Sequence, residues 1–155
     1  MSARGSFLPV MEAMVREGQT VPVPVAGHSM LPFLKPGRDA VIVSPAQGAF
    51  RRGEMVFYIR PGGQYVMHRV HHIREGTLYL VGDEQTEIEG PVNPEAVFGS
   101  VHEVIRRGTH LSRGSFCWWF FETIWIRLVP LRPMAFRCYN LLSRGFRHRT
   151  STRRR

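Results

Sequence analysis

Lysine is nearly absent from this chain. Of its 21 basic residues only Lys35 is a lysine, so any chemistry that needs an amine side chain has a single candidate. Cysteine is also scarce: Cys117 and Cys138 both fall in the last third, so no disulfide framework holds the first hundred residues, and a reducing compartment is the simpler setting. Whether these two cysteines pair stays open. Long apolar runs are missing near the N-terminus, where Phe7 to Val15 is broken by Pro9 and Glu12 and lacks a small-residue cleavage pattern. Neither a secretory signal nor a spanning helix is expected there. Acidic residues all but vanish late in the chain. Residues 1–105 hold 9 basic and 11 acidic groups, whereas residues 106–155 hold 12 and 1, so the overall charge of +9 belongs to the C-terminal part. A body of net negative charge argues against a polyanion gripped by the fold itself.

What is present suits one compact domain with an appendage: 155 residues, 43% hydrophobic. The natural division is a body over 1–105 and a basic, aromatic-rich helical tail over 106–155. Leu8, Met11 and Val15 recur at helical spacing, which predicts a short helix over Phe7 to Arg16 ended by Gly18. Val21 to Pro24 is extended by its prolines. Beyond it, short β-branched or aromatic runs alternate with Gly and Pro at Ala40 to Val43, Met55 to Ile59, Tyr65 to Ile73, Leu78 to Val81 and Val97 to Ile105. Arg60-Pro61-Gly62-Gly63-Gln64 is a hairpin signal. The expectation is a mostly β fold of coiled antiparallel sheets.

The tail opens on Phe116 to Leu131, which holds all three tryptophans and is apolar nearly all round a helix. It is too short and too charged to span a bilayer, so an interfacial helix or one docked on a partner is expected. Phe136, Tyr139, Leu142 and Phe146 then alternate with arginines, a pattern suited to an anionic lipid surface across residues 116–155. The localisation that follows is cytoplasmic or peripheral to a membrane.

Three segments hold candidate chemistry. Gly27-His28-Ser29-Met30-Leu31-Pro32 sets a serine after a glycine turn, where a hydroxyl can be exposed among backbone N–H groups. In Tyr65 to His72, strand alternation puts Val66, His68, Val70 and His72 on one face and Met67, Arg69 and His71 on the other. A neutral His68 between valines can accept a proton near neutral pH. The same alternation sets His68 and His72 about 13 Å apart with His71 turned away, so no metal site is expected from these three. Leu80 to Glu89 ends a strand in Gly82-Asp83, delivering a carboxylate to a sheet edge.

Taken in order, GHSMLPFL, GRDAVIV, RRGEMVFYI, YVMHRV and VGDE, over about Ala26 to Val101, resemble the superfamily that unites type I signal peptidases with self-cleaving LexA-like repressors. The resemblance implies a signal-peptidase/LexA-like β fold, no cofactor, and a serine endopeptidase acting on a signal or leader-type peptide or preprotein. Ser29 corresponds to the nucleophile. At the base position bacterial signal peptidases and LexA-like proteins carry lysine, whereas this chain has His68-Arg69, as in the endoplasmic-reticulum, archaeal and sporulation-type enzymes. Lys35 does not match that position. Gly27 and His28 would contribute to the oxyanion site, and Met30 and Pro32 to substrate binding. Where histidine-type members show an aspartate after the Gly-Asp-Asn block, this chain has Glu84, Glu87 and Glu89. The carboxylate partner is thus Asp83, the favoured choice, or one of these glutamates. The competing readings are a non-catalytic binding module of the same fold and a nucleic-acid-associated regulator of LexA-like type.

Overall fold

The computed structural model describes residues 3–138. Helix α1 (Ala3–Arg16) begins four residues before the expected Phe7 and buries Met11 and Val15 against the sheet, with Leu8 half-covered. Gly18 ends it at φ +92°, a left-handed conformation that glycine adopts without strain.

The strands are β1 (Val21–Pro24), β2 (Asp39–Pro45), β3 (Met55–Ile59), β4 (Tyr65–Arg74), β5 (Thr77–Val81), β6 (Glu89–Val92), β7 (Val97–Arg106) and β8 (Thr109–Ser112). They form one antiparallel sheet in the order β1-β2-β7-β3-β4-β5-β6, with β8 on the far end of β7. The five expected runs all appear as strands, and the Arg60 to Gln64 turn joins β3 to β4 as a hairpin. β8 was hidden in what reads as a loop after Arg106. Its turn is Arg107-Gly108, both at positive φ, the conformation of a two-residue hairpin that matches strand twist; Glu75-Gly76 repeats it between β4 and β5.

Register shifts at Ile42/Val43, Phe57/Tyr58, Val70/His72 and Leu78/Leu80 coil the sheet. One buried cluster, from Met11, Val15 and Val23 to Phe98 and Trp118, includes Met30 and packs Met67 at its margin. A second is built from Val56, Tyr58, Val70, Leu78, Leu80 and Val97, with Val66 beside it. Met67 and Val66 therefore fall in different clusters, as strand alternation requires.

The chain beyond β8 departs from expectation. Instead of one apolar helix from Phe116 to Leu131 there is a single turn, α2 (Phe116–Trp119), capped by Ser115, then a π turn at Phe120–Ile124 and tight 3-10 turns at Trp125–Arg127 and Val129–Leu131. Winding changes because buried anchors must reach the body from different points. Trp118 meets the Phe33 ring edge-on, with centroids 5.7 Å apart, and Ile126 and Val129 cluster with Val81. Residues 106–132 thus pack on the body rather than standing clear of it. At Gly53 (φ +87°) an added Cβ would collide with the Glu122 carbonyl oxygen, so the two backbones pass directly against each other here. Among the described residues no helix is long and apolar enough to cross a membrane. Tyr139, Leu142, Phe146 and the arginines after them lie outside the described residues.

The two adjacent tryptophans give a direct check on this packing. Trp118 is 1% exposed and Trp119 47% exposed. Trp118→Ala is expected to cost about 3–5 kcal/mol in chemical denaturation, and Trp119→Ala under about 1 kcal/mol.

Candidate active site

Ser29 sits on a turn between β1 and β2 that is pinned at both ends. The Leu31 N–H donates to the His28 carbonyl at 2.9 Å, and Leu34 N–H to Met30 carbonyl at 2.8 Å. Past the turn, buried Asp39 accepts from the Arg38 and Arg106 guanidinium groups and from the Lys35 N–H. Burial opposes the Asp39 charge, but these donors override it and hold the carboxyl at about 2. The two sides of the turn are thereby fastened to β7 and to the core.

His68 lies mid-strand on β4, opposite Val56 of β3, and is 1% exposed. It lines the same cleft as Ser29. That cleft, of about 330 Å³, runs from Val23, Val25, Gly27 and His28 across Met30 and Val41 to Phe57, Arg60 and Met67. Pro32 does not line it. The chain reverses between His28 and Leu31, so Pro32 faces another cavity with Leu31, Lys35, Arg38 and Trp125.

His68 Nδ1 lies 3.2 Å from the Tyr58 hydroxyl, which donates to Glu89 Oε2 at 2.7 Å; Glu89 Oε2 is itself 3.9 Å from Nδ1. With the phenolic proton committed to the carboxylate, the contact with the ring needs Nδ1–H as donor. That tautomer leaves Nε2 as the acceptor. Glu89 is in turn held by Arg60, which donates Nε–H to Oε1 at 2.7 Å and Nη2–H to Oε2 at 2.6 Å. The Arg60 fork keeps Glu89 below the usual carboxylate range. Burial, joined by Glu89, pushes the Tyr58 hydroxyl up.

Asp83, the favoured partner from sequence, is placed elsewhere. It is fully buried and accepts from Arg69 Nε at 2.9 and 3.1 Å. Arg69 follows His68 on β4, so the pleat turns the two side chains to opposite faces, and the carboxylate that pairs with one does not reach the other. Burial raises the Asp83 pKa while the Arg69 charge pulls the other way. Of the glutamates kept open, Glu89 approaches His68, whereas Glu84 and Glu87 are exposed.

Another expectation is corrected at His71. The bulge between Val70 and His72 inserts an extra residue into β4, and the His71 and His72 rings come together with their Nδ1 atoms 2.8 Å apart. They do not face opposite ways. Among the described residues no group of three or more His, Cys, Asp or Glu is arranged to hold a metal ion.

A family model described as Peptidase S24-like matches residues 1–101. The chain belongs to that family. The match covers α1 through the first half of β7, including Ser29, His68, Asp83 and Glu89, and stops before β8 and the packed C-terminal turns. Peptidase S24-like membership accords with the LexA-like and signal-peptidase superfamily and with a serine-peptidase type of fold. No curated protein and no solved structure matches the chain.

Sequence reading passed over Tyr58 and Arg60. Both were within reach: the Arg60 to Gln64 hairpin fixes the pairing of Tyr58 with Val66 and of Val56 with His68, so Tyr58 lies diagonal to His68 on one face.

Burial drives the His68 pKa down from near 6.5 to about 4; Glu89 raises it and Arg60 lowers it. Because the folded value lies below the unfolded one, the unfolded chain takes up this proton first. The contribution to stability is complete above about pH 6.5 and is lost as pH falls towards about 4, on the order of 3 kcal/mol in all. Titration of the His68 ring by NMR should show a midpoint near 4. A midpoint at the ordinary 6.5 would contradict the buried, neutral ring.

Proposed function

We propose that this Peptidase S24-like protein is a serine endopeptidase of the histidine type. Ser29 Oγ attacks the scissile carbonyl while His68 Nε2 takes its proton, then returns it to the leaving amine; water hydrolyses the acyl-enzyme by the same route. The Ser29 N–H, with a donor from the Gly27-His28 turn, serves the oxyanion. The carboxylate behind the base is Glu89, acting through Tyr58. The observation that carries this reading is that Ser29 and His68 line one cleft while Tyr58 and Glu89 occupy the Nδ1 side of the ring. Apolar walls at Val23, Val25, Met30, Phe57 and Met67 favour a substrate with small or apolar side chains before the scissile bond, as in a leader-type peptide.

We also propose a peripheral membrane contact for the same chain. Phe116, Trp119, Ile124, Leu131 and Met134 are exposed on the segment whose charge is strongly positive, a combination that suits anionic lipid. Flotation with phosphatidylserine vesicles should recover the wild type at low salt and lose it on Phe116→Ser with Trp119→Ser. Retention of that double variant on the vesicles would exclude this surface as the contact.

A fluorophosphonate probe should label wild-type protein at Ser29, and Ser29→Ala should not react. His68→Ala is expected to lower the labelling rate by about 10²–10⁴-fold, and Tyr58→Phe or Glu89→Gln by less. The rate should stay level as pH falls and reach half its value only near pH 4, where His68 gains its proton. Absence of labelling at every pH favours the non-catalytic binding module.

A further inference from the structure

The segment between the base and Glu89 is held from outside the family match. In the loop Gly82 to Gln85, which follows β5, the Glu84 N–H donates to the Ser29 carbonyl at 2.9 Å. Gly82 passes so close that an added Cβ would lie 2.5 Å from the same oxygen. This loop therefore bears directly on the backbone of the serine. Three of its carbonyls accept from the C-terminal turns. Arg132 Nη1 donates to Gly82 O and Gln85 O, each at 2.6 Å, and Trp125 Nε1 donates to Asp83 O at 2.9 Å. Arg132 also donates from Nη2 to the Trp125 carbonyl at 3.2 Å, and its guanidinium lies 5.3 Å from the Trp125 ring centroid.

We propose that Arg132 is a positioning residue for the serine, holding the Gly82 to Gln85 loop against Ser29 through the Gly82 and Gln85 carbonyls, the first of which also accepts the Gln85 N–H at 3.1 Å within the loop. The inference rests on the peptidase reading for its consequence in catalysis, but the strut itself can be read without activity. Arg132 is fully buried, and a planar fork is the side chain able to serve two loop carbonyls from one nitrogen and the Trp125 carbonyl from the other. A lysine is a point charge on a flexible stem and meets this demand only in part. A displacement of Ser29 by about 1 Å is enough to lower reactivity by about 10²-fold.

The test uses the full chain and two readouts. Residue-resolved amide exchange should show the Glu84 N–H losing protection by about tenfold or more in Arg132→Gln, with β3 and β4 amides keeping theirs. Fluorophosphonate labelling of Ser29 should slow by about 10- to 100-fold in the same variant, with partial recovery in Arg132→Lys and no change in the acid limb set by His68. Gly108→Ala is the control. It strains the β7–β8 turn at φ +79° and lowers overall stability without touching the loop, so both readouts should stay as in the wild type. Unchanged Glu84 protection in Arg132→Gln, or an equal loss in Gly108→Ala, overturns the strut. If the wild type is not labelled at all, the peptidase reading fails, while exchange at Glu84 still decides whether Arg132 holds the loop.

Discussion

The pleat of β4 at His68-Arg69 is the constraint on which this site depends. Two consecutive residues, one a buried imidazole and one a permanent cation, are sent to opposite faces of the sheet, and each then collects its own carboxylate. Arg69 takes Asp83 into a buried pair beneath the Phe33 ring, whose centroid lies 4.7 Å from the guanidinium carbon. His68 is left with Tyr58 and Glu89. Had one carboxylate served both, a fixed guanidinium would stand beside the imidazole and hold its partner away from it. Separation across the sheet lets an ion pair fix the Gly82 to Gln85 loop without drawing on the charge available to the base.

Much of the fold was legible because its signals are local. Five strands, a hairpin and the apolar stripe of α1 follow from alternation, turn chemistry and helical spacing. The proposal of Ser29 and His68 rests on something else: their blocks resemble, in order, those of one superfamily, and the two residues line one cleft. Asp83 was misjudged because closeness in sequence to a strand end says which edge a carboxylate reaches, not which face of the neighbouring strand it meets. Glu89 pairs through Tyr58, a residue on another strand, and only the register of the β3–β4 hairpin brings them together. The bulge at Val70/His72 had the same effect on His71, since one inserted residue reverses every facing beyond it.

The segment after Arg106 divides its apolar side chains between the core and the surface. Its charge and aromatic content read as a surface-seeking appendage, yet aromatic content does not say which side of a ring is covered. Trp118 and Trp125 are buried, while Phe116 and Trp119, which flank Trp118 within two residues, stay exposed. The break from regular helix into π and 3-10 turns is the physical trace of that division. A uniform helix would present its anchors at a fixed angular step, and Trp118, Trp125, Ile126, Val129 and Arg132 are reached by the body from steps that are unequal.

A histidine base asks something different of its surroundings than a lysine does. A lysine must be brought down by several pH units before it can accept a proton at neutral pH, and burial alone accomplishes much of that. Histidine is nearly neutral already, so burial overshoots and leaves His68 a weak base at about 4. Glu89 works against the overshoot, because a carboxylate near Nδ1 favours the imidazolium that the proposed proton transfer from Ser29 would form. Arg60 limits that correction by pairing with both Glu89 oxygens. The resting ring is thus kept neutral by burial and Arg60, while in the proposed mechanism the charge formed on attack would meet a carboxylate already in place and hydrogen-bonded by Tyr58. The balance among these three groups, more than the histidine alone, sets how much proton affinity the cleft can offer the serine.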